Sequence, residues 1–114
     1  MRFKLIVTMV NPNITNDIIE TAKAKGATGD VILSGRGTGI EETKLFGISV
    51  ADKTDVILFL VEEHIVKPIM DGFNEECKIE EPGNGIAMVL SIDKVAGLDR
   101  QIEAIKNKLR EEQL

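Results

Sequence analysis

Apolar residues along the chain fall into strand-like and helix-like runs that follow one another in a regular order. Phe3 to Val10 is rich in apolar and β-branched residues and closes on Asn11-Pro12-Asn13, which predicts a first strand. Ile14, Ile18, Ile19 and Ala22 then recur at helical spacing. Asp17 suits the positive end of that helix, Asn13 or Thr15 is placed to cap it, and Gly26 to end it. Val31 to Leu33 forms the core of a second strand, and the continuous apolar run Val56 to Val61 predicts a buried central third strand. Between them, Ile40 to Asp55 is charged and shows little periodicity, so it is expected to be a long functional loop.

Ile65, Ile69, Phe73 and Cys77 recur every four residues, with Val66 and Met70 beside them. This predicts a second helix over about Glu63 to Glu76, which must start late or bend at Pro68. Glu81-Pro82-Gly83-Asn84-Gly85 predicts a tight turn and Ile86 to Ile92 a fourth strand. Leu98, Ile102, Ile105 and Leu109 then mark an amphipathic helix that runs toward the C-terminus. The order predicts an α+β, ferredoxin-like βαββαβ fold over residues 1–97, with both helices on one face of an antiparallel sheet and an extra helix over 98–114. The first and third strands are apolar on both faces, so the sheet face without helices is expected to pack on other copies of the chain, in a cyclic oligomer.

Composition narrows the class. The chain has 114 residues, 43% of them hydrophobic, and a formal charge of -5 with acids spread along it. That is one folded domain, and a poor match for a surface that grips nucleic acid. Four Phe with no Trp or Tyr also leave a sheet of the RNA-binding type without its stacking residues. Cys77 is the one cysteine, so no disulfide forms within the chain and a reducing, cytoplasmic setting is expected. No apolar run approaches the roughly 20 residues needed to cross a bilayer, and the start MRFKLIVTMVNP lacks a signal-peptide cleavage pattern, so no membrane insertion is expected.

The candidate chemistry is concentrated in Gly26 to Gly39, GATGDVILSGRGTG, where glycine turns stand at both ends of one short apolar run. Such turns bring backbone N–H groups close to a ligand, and Arg36 and Thr38 add a guanidinium and a hydroxyl, the material of an anion or nucleotide site. A lone glycine cluster is equally an ordinary hairpin shoulder. His64 is read as a surface residue at a helix start and Cys77 as core filling; no catalytic residue and no metal ligand is assigned. Glu41, Glu42, Glu62 and Glu63 are read first as solvated acids, and second as a means of bringing a carboxylate to nucleotide-bound magnesium.

GATGDVILSGRGTG, the VILFLVEE strand and EPGNGIAMVLSID together resemble the PII family of trimeric nitrogen-regulatory signalling proteins over roughly Phe3 to Leu98. The resemblance implies a homotrimer with an adenine nucleotide (ATP, ADP or AMP, with Mg a further option) in the clefts between subunits. It assigns to that cleft Thr28, Gly29 and Asp30, then Gly35, Arg36, Gly37, Thr38 and Gly39, then Gly83, Asn84 and Gly85. Residues 40–55 correspond to the T-loop, whose Glu41, Glu42, Lys44 and Phe46 would meet a partner protein.

The sequence also departs from the family pattern. Ile86 stands where a phosphate-binding lysine is usual, and no pair of arginines occurs around Val95 to Leu98. Each lost charge-assisted contact is worth about 1.5–3 kcal/mol, so triphosphate binding should be weakened unless Arg36 and Lys53 compensate. The absence of tyrosine excludes the uridylylation known in some members. GRGTG followed by Glu-Glu, with PGNGIA and VAGL, is most similar to a divergent PII-like branch, some members of which are encoded beside membrane transport proteins. The expected function is therefore non-enzymatic signal transduction: an effector in the cleft reorders residues 40–55, which bind a partner such as a transporter. The competing reading is a ferredoxin-like trimer with a metal or other small-molecule ligand, or a small phosphohydrolase using Arg36 and Asn84. It lacks a Cys-x-x-Cys, a histidine cluster and the required loop spacing.

Overall fold

The computed structural model describes residues 2–36, 43–45, 48–50 and 53–97, with side chains for 2–30 and 54–97. Strand β1 (Phe3–Val10), helix α1 (Thr15–Ala24), strands β2 (Val31–Arg36), β3 (Thr43–Leu45), β4 (Ile48–Val50) and β5 (Lys53–Glu62), helix α2 (Val66–Glu75) and strand β6 (Gly85–Ser91) follow in chain order. Four strands form one sheet in the order β2-β5-β1-β6, antiparallel at every pair, and β3 and β4 form a separate two-stranded ladder. This is the expected ferredoxin-like α+β arrangement. The 98–114 helix lies outside the described residues.

Alternation along the strands divides the sheet into two faces. Ile6, Thr8 and Val10 of β1 and Ile57, Phe59 and Val61 of β5 are buried, and they join Ile18 and Ala22 of α1 and Ile69 and Phe73 of α2 in the core. The buried Thr8 hydroxyl donates to the Ile57 carbonyl at 3.1 Å, which satisfies the one fully buried polar side chain on that stripe of β1. The opposite face carries Leu5, Val7 and Met9, opposite Leu60, Leu58 and Val56 on one side and Leu90, Met88 and Ile86 on the other. Most of these are half-buried in the single chain and Leu90 is 47% exposed.

Several element ends differ from the sequence expectation. Helix α1 is preceded by a 3-10 turn, Pro12–Ile14, capped by the Asn11 side chain, which accepts from the Asn13 N–H at 2.9 Å. Neither Asn13 nor Thr15 caps α1. Thr15 instead donates its hydroxyl to Asp55 Oδ2 at 2.6 Å, fastening the start of α1 to the start of β5. Gly26 does end α1, at φ 114. A 3-10 turn over Glu63–Ile65 delays α2 until Val66, so Pro68 falls in the first turn, where its missing N–H has no partner to lose.

The predicted loop over 40–55 needs the largest correction. Its last residues, Lys53, Thr54 and Asp55, belong to β5 and pair with Arg36, Gly35 and Ser34 of a longer β2. Within it, Thr43–Leu45 and Ile48–Val50 pair with Leu45 opposite Ile48. The β-branched Thr43, Ile48 and Val50 supply strand propensity that a charged, aperiodic segment conceals.

Helices α1 and α2 meet at Gly72. A Cβ there would lie 2.6 Å from Thr21 Cγ2, so only glycine permits the close crossing. Gly72→Val is expected to destabilise the fold by about 1–3 kcal/mol through overpacking, seen as a lower urea midpoint with an unchanged slope.

Candidate functional site

Register places the glycine elements at three positions on the sheet. The end of β2 at Gly35 and Arg36, the start of β5 at Lys53, the end of β1 at Val10 and the start of β6 at Gly85 share one end of the sheet. Thr28, Gly29 and Asp30 lead into Val31, the first residue of β2, which pairs with Leu58 near the middle of β5. The strands β2 and β6 are the two opposite edges, separated by β5 and β1, or about 14 Å at ordinary strand spacing. Within one chain the Gly83-Asn84-Gly85 turn therefore stands apart from the β2 elements.

On the β2 side, Thr28 and Gly29 are exposed, and Asp30 lies 3.7 Å from Lys23 Nζ. Gly29 does not adopt a left-handed φ, and a Cβ added to it meets nothing within 4 Å. Neither backbone nor packing within the chain requires glycine there, so the space beside it is open to a ligand or a neighbouring chain. At the end of the sheet, Arg36 stands directly opposite Lys53. Like charges directly opposite one another in a ladder are unfavourable, and a bound anion offsets this. Gly37, Thr38, Gly39, Glu41, Glu42 and Phe46 lie outside the described residues; Lys44 pairs with Ser49 in the β3–β4 ladder.

On the β6 side the turn is built by its own hydrogen bonds. Asn84 donates from Nδ2 to the Lys78 carbonyl at 2.7 Å and from its backbone N–H to the Glu81 carbonyl at 3.1 Å, and its carbonyl accepts from the Asn11 N–H at 2.8 Å. Its side chain is thus a brace of the turn. Gly83 takes φ 84 with open space around it, whereas Gly85 takes φ 135 and a Cβ there would collide with the Met9 carbonyl oxygen. The turn carries Glu80 and Glu81, and neither has an ion-pair partner among the described residues. Beside it, a depression of about 460 Å³ lies between α2 and β6, floored by Met70, Phe73, Ile79, Ile86 and Ala87.

The remaining candidates take structural roles. His64 is exposed and its Nδ1 lies 3.3 Å from Glu62, while Glu63 lies 4.0 Å from Lys4. Glu62 pairs with Phe3, at the end of the sheet away from Gly85. Cys77 is buried, 3.3 Å from the Thr21 hydroxyl, and burial pushes its thiol above the ordinary range, against the effect of that contact. Among the described residues no cluster of His, Cys, Asp and Glu could hold a metal ion. No described helix is long and apolar enough to cross a membrane. Arg36 and Lys53 were named together from the sequence as cations for phosphate, and register adds that they stand opposite one another; the acidic character of the β6 turn was missed as a feature of a site, because its place depends on register.

No protein-family profile matches the chain, and no curated protein matches it in sequence. Solved structures do match. CPII from Thiomonas intermedia K12, bound to ADP, AMP and acetate, is 20% identical with a TM-score of 0.63 over 84% of this chain and 90% of that one. B. subtilis GlnK is 15% identical with a TM-score of 0.64, over 86% and 91%. A protein from Thermus thermophilus assigned to the PII-like signalling proteins is 22% identical with a TM-score of 0.58, over 81% and 91%. The chain has the fold of PII-like signalling proteins across nearly all of its described length.

Proposed function

We infer that this protein is a non-enzymatic, PII-like signalling protein that works as a homotrimer and binds an adenine nucleotide in the clefts between subunits. The observation that carries the reading is the placement of the glycine elements on opposite edges of one sheet, Gly29 and Arg36 on β2 and Gly83 on β6, which only a second subunit can bring together. Support comes from the shared fold and from CPII, whose structure holds ADP and AMP.

Charge indicates how the effector lies and which one is preferred. Arg36 opposite Lys53 supports the β2 side as the phosphate end of the site. The neighbouring subunit's turn, with Glu80 and Glu81 and with Ile86 in place of a lysine, repels a polyphosphate and suits the uncharged part of the ligand. AMP is therefore expected to bind more tightly than ATP, and Mg²⁺ to improve ATP binding by neutralising part of its charge. In this reading the effector, held by Gly35 to Gly39 at the base of residues 40–55, favours one arrangement of that segment by differential contacts. Glu41, Glu42, Lys44 and Phe46 then bind or release a partner. A membrane transporter met from the cytoplasm is the partner that the family resemblance suggests.

Isothermal titration with ATP, ADP, AMP and cyclic AMP, with and without Mg²⁺, tests this together with a solution mass. Micromolar binding to a species of three times the 12.5 kDa chain mass is the expected result. Gly29→Val separates site from fold. Its side chain enters open space, so stability should change by no more than about 0.5 kcal/mol while nucleotide affinity is lost. Unchanged affinity in that variant would remove Gly29 from the cleft.

A further inference from the structure

We propose that the hydrogen bond between Thr15 and Asp55 is a clasp that orders the outer end of the β2–β5 ladder, which makes Thr15 and Asp55 positioning residues for the anion that Arg36 and Lys53 receive. The role toward the anion rests on the nucleotide reading above; the clasp itself does not. Pairing of β1 with β5 ends at Val10–Asp55, whereas the β2–β5 ladder continues through Gly35–Thr54 to Arg36–Lys53. Lys53 and Thr54 therefore lie beyond β1 and have a strand on one side only. A two-stranded end is the part of a sheet most prone to fray, and Gly35 adds no side chain to its packing.

Asp55 is the last residue of β5 with a strand on both sides, and it lies on the same face as the buried Ile57, Phe59 and Val61. Its Oδ2 accepts from the hydroxyl of Thr15, buried at the first position of α1, at 2.6 Å. A bond this short between a hydroxyl and a carboxylate is charge-assisted, and the positive end of α1 favours the carboxylate further. The N-cap residue Ile14 supplies no capping side chain, so the acid reaches this end of the helix from β5. The helix is anchored independently: Ile18 and Ala22 are fully buried, and the Asn11 side chain caps the 3-10 turn before it. The clasp thus acts on the less anchored partner, the start of β5, two positions from Lys53.

Thr15→Val removes the hydroxyl and keeps the shape of the side chain, and Thr15→Ser keeps the hydroxyl. Amide hydrogen exchange of the full-length protein, followed by NMR, reads the clasp. In Thr15→Val the protected amides among Gly35, Arg36, Lys53 and Thr54 are expected to exchange about tenfold faster or more, with Ile57 to Val61 unchanged and Thr15→Ser close to wild type. Unchanged exchange at this end, or equal acceleration along all of β5, overturns the clasp. Titration with AMP reads the positioning role: affinity is expected to fall about tenfold in Thr15→Val, the worth of one charge-assisted hydrogen bond, and to return in Thr15→Ser. In a Lys53→Met background Thr15→Val should cost no further affinity, because the clasp acts through Lys53. Additive losses, or full AMP affinity in a Thr15→Val protein whose ladder end has loosened, overturn the positioning role. A wild-type protein that binds none of AMP, ADP and ATP overturns the nucleotide reading and the positioning role with it, and the exchange data still decide the clasp.

Discussion

Gly85→Ala is expected to destabilise the protein by at least about 3 kcal/mol, because the substitution combines a left-handed backbone with a collision that no side-chain rotation relieves. The added Cβ would lie 2.1 Å from the Met9 carbonyl oxygen and 2.7 Å from Val10 Cα, both backbone atoms of the strand that β6 pairs with. Relief requires the start of β6 to move away from β1, which breaks the Val10–Gly85 pairing and the adjacent bond from the Asn11 N–H to the Asn84 carbonyl. Urea denaturation followed by circular dichroism measures the loss. The contrast with Gly29 is diagnostic. Both glycines are assigned to the cleft by family resemblance, yet one is demanded by the fold and the other is not, so an equal loss of stability in the two variants would contradict the packing described.

Leu58→Glu is expected to leave the fold intact and convert the proposed trimer to monomer. Leu58, on the inner strand β5, sits opposite Val7 of inner β1 and Val31 of edge strand β2, on the sheet face that no described helix covers. Its neighbours there include Leu5, Leu60 and Met88, a continuous apolar surface that water disfavours. Burying a carboxylate without a partner in an assembled interface costs several kcal/mol, and rotational symmetry repeats that cost in every subunit. Sedimentation velocity gives the mass and circular dichroism the fold. A variant that stays assembled would move the interface elsewhere. If the nucleotide site lies between subunits, the monomer should also lose binding, although Leu58 is remote in register from the Gly85 end of the sheet.

The proposed cleft was only partly legible in the chain. Gly29, Gly83 and Gly85 could be picked out as glycines at turns, and their common assignment came from family resemblance. Only atomic packing separates Gly85, whose missing side chain is filled by β1 backbone, from Gly29 and Gly83, whose missing side chains leave open space. Asn84 reads as a candidate ligand contact by sequence and serves as the brace of its turn, because its side-chain amide donates to the Lys78 carbonyl. Gly72 carried no signal within an amphipathic helix, and its importance arises from Thr21, fifty-one positions earlier in the chain.

What the sequence by itself determined is the order and kind of the main elements and the residues of the core. Those depend on local periodicity: Ile69, Phe73 and Cys77 at helical spacing, and the apolar runs of β1 and β5, come inside wherever the elements pack. Tertiary structure alone decided the extension of β2 and β5 into the supposed loop, the pairing of Arg36 with Lys53, and the separation of Gly83 from Gly29 by the full width of the sheet. Strand pairing joins residues distant in the chain through backbone hydrogen bonds, which every residue except proline can make. Side-chain pattern therefore sets which face of a strand is buried, and the partner strand sets how far the strand extends.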